Sequence, residues 1–137
     1  MNLTKPLVIL DLETTGLDII NDRIVEISMI KINPDKTKNK KTIRINPKIP
    51  ISNESSLFHG IYIEDVKDCP SFKNTSNEIF QFINKCDIGG FNVLKFDLPL
   101  LIEEFLRCNL HLLLKNIKII DAQRIFHLME KRNLSSA

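Results

Sequence analysis

Two hydrophobic periods divide the chain. From Leu7 to Leu10 four apolar residues run together, and they lead into Asp11, Leu12, Glu13, Thr14, Thr15 and Gly16. A run this dense is expected of a strand buried on both faces. From Ile24 to Ile32 apolar and polar residues alternate, the period of a second strand. "NPDKTKNKK" follows as a polar turn with a lysine-rich tip, Lys36 to Lys41, and Thr42 to Asn46 is expected as a short third strand. Three consecutive strands with tight polar connections predict an antiparallel meander.

The period then changes. Pro47 and Pro50 extend the backbone, with one short helix expected near Ser55. From Ser71 onward Phe72, Ile79, Phe80 and Ile83 fall on one helical face. "DIGGFN" predicts a brief strand whose Gly89 and Gly90 permit close backbone approach. Phe96 to Cys108 reads as a second helix with Pro99 in its first turn, where a missing N–H costs little. Ile117 to Asp121 is a fifth strand, and Ala122 to Lys131 begins a third helix. The sum is a single α/β domain over residues 1–137, with helices laid against a mixed sheet.

Bulk properties narrow the partners. A net charge of +2 over 137 residues creates no global field that announces a polyanion. The lysine-rich tip fits either nucleic-acid contact or an ordinary solvated hairpin. Cys69, Cys86 and Cys108 are odd in number and lack metal-ligand spacing, as expected of idle thiols in a reducing compartment. The N-terminal apolar stretch is short, is interrupted by Asp11 and has no small-residue cleavage site after it, so it does not resemble a signal peptide. No run approaches a membrane span. The expectation is a soluble cytoplasmic protein with no membrane partner.

Asp11 and Glu13 carry the chemistry. Two residues apart on a strand, they leave the same face about 7 Å apart at the backbone, with Leu12 turned away. Ionised groups at the end of a buried strand are costly unless something positive meets them, and a hard divalent cation such as Mg²⁺ answers that need. Gly16 is expected to let the chain turn sharply and leave room for a ligand. Asp97, placed at the start of a helix, suits either the positive end of the macrodipole in the same site or an ordinary helix-start role.

D-L-E-T-T-G at Asp11 to Gly16, F-H-G-I at Phe58 to Ile61 and N-x-x-x-F-D at Asn92 to Asp97, in that order, resemble the DEDD superfamily of 3′–5′ exonucleases. The branch resembled is that of the proofreading (epsilon) subunit of bacterial DNA polymerase III. The resemblance implies an RNase H-like fold and hydrolysis of a 3′-terminal phosphodiester with two divalent cations, Mg²⁺ or Mn²⁺. Asp11 would bridge both ions, Glu13 would ligate one, and Asp97 would serve the second directly or through water. Thr14 and Thr15 would meet the terminal nucleotide through backbone and hydroxyl, and Leu17 would wedge against its base. Leu12 and Asn92 would line the pocket, as would Phe96 unless it is plain core. His59 would lie beside the terminal nucleotide, or else be an exposed loop histidine. The implied partners are a single-stranded 3′ end, DNA before RNA, and the catalytic subunit of a replicative polymerase.

The resemblance also implies a third motif, H-x-x-x-x-D, on a helix near the C-terminus. His127 is followed by Leu128, Met129, Glu130, Lys131 and Arg132, so it does not supply the pattern, and His111 matches nothing. The expectation is therefore a C-terminally truncated exonuclease domain with impaired activity. A non-catalytic domain that binds nucleic acid or polymerase, and an RNA-trimming relative, are the alternatives.

Overall fold

The computed structural model describes residues 3–121. The predicted helix from Ala122 and the residue His127 lie outside that range. One five-stranded sheet, ordered β3-β2-β1-β4-β5, forms the scaffold. Strands β1 (Leu7–Thr14), β2 (Ile24–Ile32) and β3 (Lys38–Arg44) make the predicted antiparallel meander. Strands β4 (Asp87–Gly90) and β5 (Ile119–Asp121) add to the other edge of β1 in parallel. Among the described residues four α-helices follow the meander: α1 (Asn53–His59), α2 (Ile63–Val66), α3 (Phe72–Ile83) and α4 (Leu98–Arg107). Among the described residues no helix is long and apolar enough to cross a membrane.

The core lies on one face of the sheet. Val8, Leu10 and Leu12 of β1 and Ile27 and Met29 of β2 pack there against Phe72, Ile79 and Ile83 of α3 and Leu101 and Phe105 of α4. Phe105 closes the cluster, its ring 5.5 Å from Phe72 and 5.4 Å from Phe80. Ser71 starts α3 by accepting the Asn74 N–H, which satisfies a donor that has no partner inside the helix.

Three expectations change. Strand β1 is not buried on both faces: Ile9 is half-buried and Asp11 exposed, so its second face is open beside the carboxylates. The third strand starts at Lys38 rather than Thr42. The turn closes earlier, with the Lys36 N–H donating to the Asn33 carbonyl, and the lysines ride on an exposed edge strand. Such an edge tolerates them because their charge hinders pairing with another chain.

The helix expected from Phe96 begins earlier, with a π-helical turn, Val93–Asp97, that runs directly into α4. Asn92 starts that turn with a φ of 53°, a left-handed conformation that asparagine accepts readily. The Leu98 N–H reaches the Val93 carbonyl, five residues back. Pro99 accounts for the switch: it has no N–H to offer the carbonyl four residues before it, and its ring crowds that carbonyl. Asp97 is therefore one turn inside a continuous helix and caps nothing with its side chain.

Candidate active site

Strand β1 outruns its parallel neighbour. The last β1–β4 pair is Ile9 with Gly89, so the segment from Leu10 to Thr14 continues past β4. Gly90 meets the Leu10 carbonyl so closely that an added Cβ would lie 2.6 Å from that oxygen, which makes this glycine the close approach expected of it. Beyond that point the Leu12 N–H has lost a strand to pair with, and the Asp97 carboxylate accepts it at 3.3 Å. A buried amide must find some acceptor, and the π turn brings Asp97 to this one.

Asp97 is 5% exposed. Burial raises its carboxyl to about 6, and repulsion from Asp11 and Glu13 adds to the rise against the lowering effect of the Leu12 amide. Asp11 is also raised, by burial and then by Glu26. Glu13 is raised by burial and then by Asp11, with His59 acting in the opposite direction. The three carboxylates thus repel one another electrostatically. None is in a salt bridge among the described residues. Glu26, opposite Glu13 on β2, is bound by Arg44 at 2.9 Å.

A bulge shapes the same end of the sheet. The β1–β2 register slips between Glu13 and Thr14, since Glu13 pairs with Glu26 and Thr14 with Ile24. The Ile24 N–H donates to the buried Glu104 carboxylate at 2.9 Å. Arg107 binds Glu104 at 3.3 Å and also donates to the Ile20 carbonyl, which ties α4 to the bulge.

A cleft of about 780 Å³ opens beside Glu13, while Asp11 and Asp97 stand outside its lining. Among the residues expected at the site, Glu13, Thr14, His59 and Asn92 contribute its polar lining, and Leu12, Leu17 and Phe96 its apolar lining. Phe58 and Phe91, which sequence reasoning gave no role, complete the apolar walls. Leu17 is 85% exposed and Phe58 is 89% exposed. Large apolar groups held this openly around a cleft are a mark of a binding surface.

Hydrogen bonding and packing bear on three of the residues expected at the site. Thr15 is 1% exposed and does not line the cleft. Its hydroxyl donates to Asp22 at 2.7 Å and accepts the Arg23 N–H at 3.0 Å, so it is spent inside the protein. His59 lines the cleft, but both ring nitrogens bind backbone. The Ile61 N–H donates to Nδ1 at 3.0 Å, which leaves Nε2 to donate to the Thr14 carbonyl at 3.0 Å. Its ring is a staple between α1 and β1. Gly16 serves close packing rather than an unusual turn: an added Cβ would lie 2.5 Å from an Asp22 carboxylate oxygen.

Asp22 and Glu104 escaped the sequence reading. For Glu104 a signal existed, since it stands seven residues after Asp97, two helical turns along the same face. Nothing local marks Asp22, whose partners come from across the β1–β2 turn.

Comparison with known proteins agrees with this geometry. Residues 8–134 match the RNase_T exonuclease family. The DNA polymerase III epsilon subunit of Buchnera aphidicola is 34% identical over 111 residues, covering 77% of this chain and 47% of that protein. The epsilon subunit of Haemophilus influenzae is 29% identical over 119 residues, covering 82% of this chain and 46% of that protein. The chain thus spans about half the length of these curated relatives. Escherichia coli exonuclease I in complex with a dT13 oligonucleotide superposes with a TM-score of 0.76 at 16% identity, over 86% of this chain and 28% of that one. That likeness speaks for the fold. The meander extended by two parallel strands is the RNase H-like arrangement, and the chain belongs to the RNase_T exonuclease family.

Proposed function

We propose that this chain acts at the free 3′ end of single-stranded DNA, removing nucleotides in the 3′–5′ direction as a proofreading-type exonuclease. The observation that carries the reading is Glu13, repelled electrostatically by Asp11 and repelling Asp97, set in the lining of a cleft walled by Leu17, Phe58, Phe91 and Phe96. Relatives named as DNA polymerase III subunits, and a structural neighbour holding a dT13 oligonucleotide, favour DNA over RNA and a polymerase catalytic subunit as partner.

The donor set suits hard divalent cations. It consists of carboxylate oxygens, raised first by burial and then by repulsion from neighbouring carboxylates, and none is in a salt bridge among the described residues. Among the described residues no three His, Cys, Asp or Glu side chains come close enough together to hold a metal ion, so on this reading Asp11, Glu13 and Asp97 would draw together around Mg²⁺ completed by water and phosphate. Asp11, Glu13 and Asp97 would be the residues that hold the ions. When bound, two Mg²⁺ or Mn²⁺ ions supply the charge that activates water and steadies the leaving 3′ oxygen. Leu17 and Phe96 grip the terminal base, while Thr14 and Asn92 orient its sugar and phosphate. Asp97 holds the cation side of the cleft to β1 through the Leu12 amide.

The test is digestion of a 3′-labelled DNA single strand in Mg²⁺, beside an RNA strand and a circular DNA strand of equal length. Release of mononucleotides from the linear DNA alone, lost on Asp11→Ala, is the expected result. Cutting of the circle, or digestion unaffected by Asp11→Ala, would overturn the assignment.

A further inference from the structure

The loop that carries Leu17 is held by backbone bonds from the Asp22 N–H to the Asp18 carbonyl and from the Ser52 N–H to the Thr15 carbonyl, by the Thr14 hydroxyl on the Gly16 carbonyl, and by one carboxylate that makes two bonds of its own. Asp22 accepts the Thr15 hydroxyl at 2.7 Å through one carboxylate oxygen and the Asp18 N–H at 2.8 Å through the other. Its carboxylate lies against Gly16, where no side chain fits. The Thr15 hydroxyl passes the constraint on by accepting the Arg23 N–H, and the Thr15 N–H donates to the Arg23 carbonyl at 2.9 Å. Thr15, Gly16 and Asp18 are thus all fixed from Asp22, and the remaining residue of the segment is Leu17. That residue makes no packing contact that explains its position, since it is 85% exposed. Its place at the mouth of the cleft is set by the backbone on either side.

We infer that Asp22 is a positioning residue for 3′-end recognition, acting through the loop Thr15–Asp18 to hold Leu17 against the terminal base. This rests on the proposed reading of the cleft as a 3′-end pocket. An exposed leucine on an unconstrained loop gives back much of its contact energy as ordering entropy when a ligand arrives. Prior locking removes that cost, and it does so only at a terminus that enters the cleft. Contacts to the nucleic-acid backbone elsewhere do not feel it.

The experiment compares the affinity of the 137-residue chain for a hydrolysis-resistant phosphorothioate oligothymidylate with a free 3′ hydroxyl against its affinity for a circular strand of the same length. The ratio of the two cancels any loss of folded protein. Wild type is expected to prefer the free end. Asp22→Asn, which loses one of the two carboxylate bonds, is expected to lower that preference about fivefold. Leu17→Ala should lower it similarly, and the double variant no further, since both changes remove one effect. Should Asp22→Asn fail to fold, Thr15→Val breaks the same bond from the other partner and is expected to give the same loss.

Retention of the end preference in Asp22→Asn or Thr15→Val while Leu17→Ala loses it would overturn the inference and leave the pocket reading intact. Independent, multiplying losses in the double variant would overturn it too. Absence of any end preference in wild type would overturn the pocket reading itself, and this inference with it.

Discussion

The two faces of β1 are built from alternate residues of one eight-residue strand, yet they obey opposite rules. Val8, Leu10 and Leu12 face the helices and are almost completely buried. Ile9, Asp11 and Glu13 face the other way and become more polar toward the end of the strand. On the first face every neighbour contributes apolar contact, so each residue is replaceable by another of like volume. On the second, repulsion among Asp11, Glu13 and Asp97 works against the fold, and on the proposed reading a bound cation would relieve it. Stability and chemistry have been separated by a rotation of half a turn per residue.

If that division holds, the largest effect belongs to the open face. Asp11→Ala is expected to lower Mg²⁺-dependent release of nucleotides by about 10³-fold, roughly 4 kcal/mol of transition-state stabilisation. The same variant should melt no lower than wild type in the absence of divalent ions, because it removes a repelled charge. A melting curve that fell by several degrees would break the comparison.

Next comes the core face. Leu10→Ala should cost about 3 kcal/mol by urea denaturation, the usual range for a fully buried leucine. A loss under 1 kcal/mol would mean that α3 and α4 are not held by this strand.

The pH dependence sharpens the comparison. Asp97 titrates near 3.8 unfolded and is raised to about 6 when folded. Its protonated form therefore favours folding. That contribution, about 3 kcal/mol, is complete below pH 4 and is lost as pH rises through about 6. Asp11 and Glu13 are raised as well and act in the same sense. Without divalent ions the chain should lose stability between pH 4 and 7, less so in Asp97→Asn, and added Mg²⁺ should restore it mainly above pH 6. Thermal melts across this range decide the matter, and a flat profile would contradict the assigned burial.

The smallest effect tests the staple. His59→Ala removes two hydrogen bonds to backbone, at Thr14 and Ile61, and should cost about 1 kcal/mol. Faster hydrogen exchange at the Ile61 amide is the accompanying signature.

Legibility followed the same division. The core face of β1, the alternation of β2 and the apolar face of α3 were readable because burial at a fixed period is a local property. The spacing of Asp11 and Glu13 was readable for the same reason. Residues whose roles depend on distant partners were not. Thr15 resembles a substrate contact until Asp22 is seen to occupy its hydroxyl, and His59 until both its nitrogens are found on backbone. The onset of β3 was hidden because lysines on an exposed edge strand look like a turn. The π turn left no trace because five residues are too few to separate it from an α-helix by periodicity.

That π turn has a consequence for how the protein tolerates change. Leu94 and Lys95 point to solvent, so substitutions there should pass unnoticed. Helix type is different. Were the same residues to relax to an ordinary α-helix, with bonds four residues apart instead of five, Asp97 would be rotated by one residue's step, about 100°, relative to Asn92. Asp97 would then leave the Leu12 amide and Asn92 the cleft wall. What this stretch must preserve through sequence drift is the wide turn itself.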